Sequence, residues 1–139
     1  MLEFSHAITR LPGENLSEGL TTSNLGPPDL AKARLQHQEY RKALSDCGLV
    51  VELLPEDLDH PDSTFVEDTA ILTSEGAVIT RPGASSRSGE VDGIRPVLGK
   101  FYDEVHTIQS PGTMDGGDDC DEGGAFLIGV SERTNENGA

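Results

Sequence analysis

The sequence has no tryptophan and only six other aromatic rings, two tyrosines and four phenylalanines, in 139 residues. Large rings supply much of the buried area in most cores, so any core here must be aliphatic and lean. Leucine, isoleucine, valine and phenylalanine still number 33, above the one-fifth share below which disorder is expected. Cysteine is scarce as well. Two residues, Cys47 and Cys120, exclude a disulfide framework, and both read as small buried residues beside apolar runs. Basic residues are few: 10 Lys and Arg against 25 Asp and Glu give a net charge of −15. That field excludes nucleic-acid backbones and anionic membranes as partners and favours the approach of a small cation.

No run approaches the roughly 18 apolar residues of a membrane helix, and MLEFSHAITR lacks a basic region followed by an apolar stretch. A cytoplasmic protein is expected. Zinc spacings of the H-E-x-x-H or C-x-x-C kind are missing. The acidic run Asp115 to Glu122 meets no calcium-loop pattern, and no phosphate-binding G-x-x-x-x-G-K-[ST] occurs. No metal and no cofactor is expected. His6, His37, His60 and His106 are scattered, and none adjoins a convincing nucleophile.

What is present alternates between strand and helix patterns, an α/β class. A weak strand over Glu3 to Thr9 leads into an 18-residue polar loop, LPGENLSEGLTTSNLGPP, long enough to suggest a tethered or lid-like segment. Asp29 is placed to cap a helix whose apolar or amphipathic positions are Leu30, Ala33, His37, Tyr40, Leu44 and Cys47, with Gly48 ending it. His37 reads as a packed histidine rather than a ligand. Strands follow at LVVELLP, STFVEDTAIL and AVITRPG, the last two joined as a hairpin by Thr73-Ser74-Glu75-Gly76. After GASSRSGE comes an amphipathic segment ending near Phe101 and Tyr102. EVHTIQ is then a strand, and SPGTMDGGDDCDEGGAFLIGV a strand, turn and strand. A hairpin bearing acids and followed by an arginine occurs twice, ending in Arg87 and Arg133, which suggests a repeat. SERTNENGA offers Thr134 and Asn135 as caps for a helix with too few residues to be stable. The expectation is therefore one domain over residues 1–139, cut within a longer fold.

The acids carry the functional question. Glu67 and Asp68 adjoin each other in an apolar strand, so their side chains point to opposite faces and one must enter the packed side. A buried carboxylate needs a cationic, hydrogen-bonding partner. A guanidinium fits best, and it could belong to the chain itself or to a ligand. In MDGGDD, Asp115 and Asp118 flank two glycines that allow close backbone approach, although ordinary turn chemistry explains the same residues.

PDSTFVED, ITRPGASSRSGE, PGTMDGGD and IGVSERTNENGA, with the EGLTTSNLGPPD loop, together resemble the N-terminal half of the dimethylarginine dimethylaminohydrolases. These are guanidine-modifying hydrolases of the pentein superfamily. The resemblance implies an α/β propeller of five pseudosymmetric ββαβ units around a substrate channel, which would account for the repeat. It implies a lid role for Leu20 and an α-amino site at Asp62. It makes Asp68 a carboxylate that grips the guanidinium and Glu67 its orienting neighbour. Arg87 and Arg133 become clamps for the substrate carboxylate, and Asp115 the acid that works with a catalytic histidine.

By the same resemblance the substrate is a methylated arginine, hydrolysed to citrulline and dimethylamine through a cysteine–thiouronium intermediate. Neither cysteine and none of the four histidines matches the nucleophile or the base of that chemistry, so this chain alone is expected to be inactive. An arginine deiminase-like enzyme and a non-catalytic half-propeller binding protein are the alternatives. DDCDEGG is more polar than the strand usual after MDGGD. Uncovered sheet edges leave a homodimer open.

Overall fold

The computed structural model describes residues 4–123 and 125–139. They form two compact units, one ending at Val66 and the other running from Glu67 to Ala139.

The unit ending at Val66 is a βαβ arrangement. Strand β1 (His6–Arg10) lies parallel to β2 (Val50–Leu54), in the register His6 opposite Val50 through Arg10 opposite Leu54. The expected start of β1 at Glu3 lies outside the described residues. Helix α1 (Leu30–Asp46) connects the strands, and the Asp29 carboxylate accepts the Lys32 N–H as its N-cap. Gly48 ends it in the left-handed region, at φ +90°, where a side chain would be strained. No residue of α1 is fully buried. Its inward stripe is Leu30, Ala33, Arg34, His37, Arg41 and Leu44, all half-buried. Tyr40, expected on that face, is exposed, because the 3.6-residue period carries Arg41 inward instead. Cys47, expected to be buried, is exposed, since the helix has already turned it outward at the C-cap.

The unit from Glu67 contains the hairpin read from the sequence. Strand β3 (Ala70–Leu72) pairs antiparallel with β4 (Ala77–Ile79). The Thr73 hydroxyl closes the turn by accepting the Glu75 and Gly76 N–H groups. Helix α2 (Glu90–Leu98) follows, and β5 (Val105–Thr107) then pairs parallel with β4. β3, β4, α2 and β5 are therefore one ββαβ unit. Glu90, Ile94, Val97 and Leu98 form the buried stripe of α2 at helical spacing, and Ala77, Ile79 and Met114 complete the core. A second antiparallel hairpin follows, β6 (Asp119–Asp121) with β7 (Phe126–Ile128).

Two expectations are corrected here. STFVEDTAIL is not one strand: Val66–Thr69 is a 3₁₀ turn and only Ala70–Leu72 is extended. Tertiary bonds draw that backbone inward, the Thr80 hydroxyl donating to the Asp68 carbonyl at 2.6 Å and the Thr80 N–H to the Thr69 carbonyl at 3.0 Å. Cys120 is exposed rather than buried, because the sheet has only two strands and its cross-strand partner Leu127 is itself exposed.

Candidate functional site

In the unit ending at Val66, the structure brings Asp62 and Leu20 together. Asp62 is buried, and both its carboxylate oxygens lie 3.1 Å from the Leu20 N–H. The loop before Leu20 is fastened at several points. Asn15 donates to the Asp57 carbonyl at 3.1 Å, and Arg34 donates to the Pro12 carbonyl at 3.0 Å and to Glu56 at 2.8 Å. Beyond this anchored stem the Leu20 residue is 61% exposed. The tether of the long loop is thus a carboxylate gripping a backbone amide.

The unit from Glu67 gathers the remaining acids and arginines. Arg87 closes the 3₁₀ turn Ser85–Arg87 and is buried. Its Nε and Nη2 meet the two carboxylate oxygens of Glu90 at 3.0 and 2.8 Å, and its Nη1 meets Asp68 at 2.5 Å. Glu90 is buried in the first turn of α2, where the helix dipole also favours a negative charge. Burial pulls the Arg87 pKa down, but the hydrogen bonds it donates to Glu90 and Asp68 outweigh that and hold the guanidinium charged. The sequence left two partners open for Asp68, an internal arginine or a ligand. The structure shows the internal one. The second oxygen of Asp68 accepts the Gly117 N–H at 2.9 Å. Glu67 stands beside this cluster, its carboxyl pushed up by desolvation and by the neighbouring Asp68 charge.

Asp115 is the most enclosed acid, with 0% of its surface exposed. One oxygen accepts the Gly83 N–H at 3.1 Å. The other has no hydrogen-bond partner among the described residues and lies 3.4 Å from the Arg133 Nε. Desolvation raises its pKa, and the Asp68 charge adds to the rise; the Gly83 N–H, Arg133 and Arg87 pull the other way. The Arg133 side chain is 54% exposed. A buried carboxylate with a vacant lone pair beside an accessible guanidinium can take a proton-bearing group on one side and an anion on the other.

The two arginines expected to act alike are thus differently placed. Arg87 is internal and saturated by carboxylates, while Arg133 reaches solvent. Sequence reasoning missed Glu90, whose place three residues after Arg87 at a helix start is a readable signal for an ion pair. It also missed Thr80 and Ser131, whose hydroxyls fix the loops, and read Thr134 as a helix cap, whereas no helix follows it and its hydroxyl instead accepts the Asp115 N–H and donates to Asp118. Among the described residues no group of three or more His, Cys, Asp or Glu is arranged to hold a metal ion. No described helix is long and apolar enough to cross a membrane.

No family model matches the chain. The N(G),N(G)-dimethylarginine dimethylaminohydrolase of Pseudomonas aeruginosa is 49% identical over 137 residues, which cover 98% of this chain and 54% of that protein. A solved structure of the Pseudomonas aeruginosa enzyme, a cysteine-to-serine mutant complexed with citrulline, superposes with a TM-score of 0.97. It is 48% identical, over 99% of this chain and 55% of that one. The N-terminal domain of an arginine dihydrolase from the cyanobacterial ornithine–ammonia cycle, bound to its product, shares the fold at a TM-score of 0.80. It is 16% identical, over 94% of this chain and 50% of that chain. The chain spans about half the length of the curated relatives it matches. With that identity, and with an α/β arrangement that superposes on the Pseudomonas aeruginosa structure over 99% of its length, the chain is similar throughout to about half of a dimethylarginine dimethylaminohydrolase.

Proposed function

We propose that this chain is the substrate-receiving part of a hydrolase that converts N-omega-methylated arginines to citrulline and dimethylamine. The observation that carries the reading is Asp115, a buried carboxylate with one oxygen unbonded and a solvent-reaching arginine beside it. Such an acid is suited to orienting an acid–base histidine, and the guanidinium of Arg133 to holding an amino-acid carboxylate in bidentate fashion. We assign Asp68 to the cationic end of the substrate and Glu67 to orienting it. Arg87 is assigned as the second carboxylate clamp, a role in which the ligand competes with Asp68 for Nη1. Asp62 is assigned to the α-amino group and Leu20 to the lid. The ββαβ unit β3–β4–α2–β5 and the hairpin that follows it support one domain built as part of a five-unit propeller.

In this chemistry a cysteine thiolate adds to the guanidinium carbon. The bond from that carbon to the dimethylamino nitrogen breaks as a histidine supplies the proton, leaving a thiouronium. Water then adds to the same carbon, giving one proton to the histidine and one to solvent, the carbon–sulfur bond breaks, and citrulline and thiolate are released. Cys47 at a helix end and Cys120 on β6 match no such nucleophile, so the cysteine and histidine come from outside these 139 residues.

Citrulline release from arginine, monomethylarginine and dimethylarginine, measured on the chain and on the complete gene product, tests the reading. The chain alone is expected to release none, and the complete product is expected to prefer dimethylarginine. Turnover by the chain alone overturns the missing nucleophile. A complete product with no activity on any methylated arginine overturns the function.

A further inference from the structure

The turn Ser131 to Thr134 and the 3₁₀ turn Gly116–Asp118 are tied by one carboxylate. Asp118 Oδ2 accepts the hydroxyl of Ser131 at 2.9 Å and that of Thr134 at 2.6 Å. A hydroxyl has one proton to give and two lone pairs to receive with. Once both protons are committed to Asp118, both oxygens can only accept. They do so from the backbone. Ser131 Oγ takes the N–H groups of Arg133 at 3.0 Å and Thr134 at 3.1 Å. Thr134 Oγ1 takes the N–H of Asp115 at 3.2 Å, and Thr134 is itself 0% exposed.

Asp115 and Arg133 are therefore held from the same carboxylate by two hydroxyl relays. A local turn at Ser131 would need only its own hydroxyl. The shared acceptor joins that turn to the Asp115 backbone across the hairpin β6–β7.

We propose that Asp118 is a positioning residue that holds the Asp115 carboxylate and the Arg133 guanidinium in register through Thr134 and Ser131. This rests on the roles given above to Asp115 and Arg133. It predicts that the polarity of the hydroxyls, not the volume of the side chains, sets the environment of Asp115.

The test is an NMR titration of the Asp115 carboxyl carbon, together with amide exchange at Asp115, Arg133 and Thr134, on the ligand-free chain. Asp118→Ala and Thr134→Val are expected to move the Asp115 midpoint by about half a pH unit or more. Amide exchange at Asp115 should rise by roughly tenfold, the scale of one lost hydrogen bond. Thr134→Ser keeps the hydroxyl and Asp118→Asn keeps an acceptor oxygen, so both should restore the parent behaviour in large part. An unchanged Asp115 titration and exchange in folded Thr134→Val overturns the proposal, whether or not Asp118→Ala folds. So does a Thr134→Ser variant that behaves like Thr134→Val. Citrulline activity of the complete product reports on the functional reading separately, because the titration involves no ligand.

Discussion

Arg87 shows what a buried ion costs and how the chain meets that cost. Its guanidinium spends two nitrogens on Glu90 and a third on Asp68, so two carboxylates share one cation. Removing one member of a buried cluster strands the others, which typically costs about 3–5 kcal/mol. Glu90→Ala is therefore expected to destabilise the chain by about 3 kcal/mol, the low end, because Asp68 still holds Nη1. Equilibrium urea unfolding measures it, and a loss below about 1 kcal/mol would show that the pair is only geometric. Asp115 presents the opposite case. Its folded pKa is raised above the ordinary 3.8, so ionising it works against the fold. That penalty is absent below 3.8, grows as pH rises through the folded pKa, and is constant above it. The stability of Asp115→Asn relative to the parent should therefore increase from about pH 3.8 upward and then level off. A pH-independent difference between the two would contradict the burial argument.

At the level of elements, the acid-bearing turns are alike. Val66–Thr69 and Gly116–Asp118 are both 3₁₀ turns feeding a short strand and an antiparallel hairpin. In each, an aspartate anchors the chain beyond the hairpin, Asp68 through Arg87 and Asp118 through Ser131 and Thr134. The two turns also press on one another. A Cβ at Gly116 would come within 2.3 Å of the Glu67 carbonyl oxygen and 3.0 Å of that of Ala70. Backbone on both sides leaves no flexible group to yield. Gly116→Ala is expected to cost about 2–3 kcal/mol, in the upper part of the usual overpacking range, and to disturb the Gly117 N–H bond to Asp68. A thermal midpoint shift of less than about 2 °C would mean that the loop simply moves aside. The doubled hairpin was legible in the sequence, because its turn residues and its alternation are local. The 3₁₀ geometry was not, since the hydroxyl of Thr80 that draws Asp68 inward lies twelve residues away.

For the molecule as a whole, the net charge of −15 sets the response to solution conditions. Like charges spread over so small a chain repel one another, and salt screens that repulsion within about 10 Å at 0.1 M. Raising sodium chloride from 20 to 300 mM (roughly a fourfold drop in Debye length) should raise the thermal midpoint by a few degrees. A falling midpoint would show that the ion pairs of Arg87 and Arg34 outweigh the general repulsion.

The sequence by itself determined the α/β class, the Asp29-capped helix and the hairpin over residues 70–79, together with the choice of residues to watch. These follow from short-range causes: side-chain period, cap chemistry and turn residues. The motifs also carried the resemblance to the dimethylarginine dimethylaminohydrolases, because their order and spacing survive without coordinates. Which strands pair in parallel, β1 with β2 and β4 with β5, only the tertiary structure decided, since parallel partners are separated by a helix and the pattern of each strand is silent about its neighbour. The same holds for the charges. Arg87 and Arg133 look interchangeable as letters, yet one is buried between Asp68 and Glu90 and the other lies beside Asp115, half in solvent. The difference comes from desolvation, and desolvation depends on everything packed around a residue rather than on the residue itself.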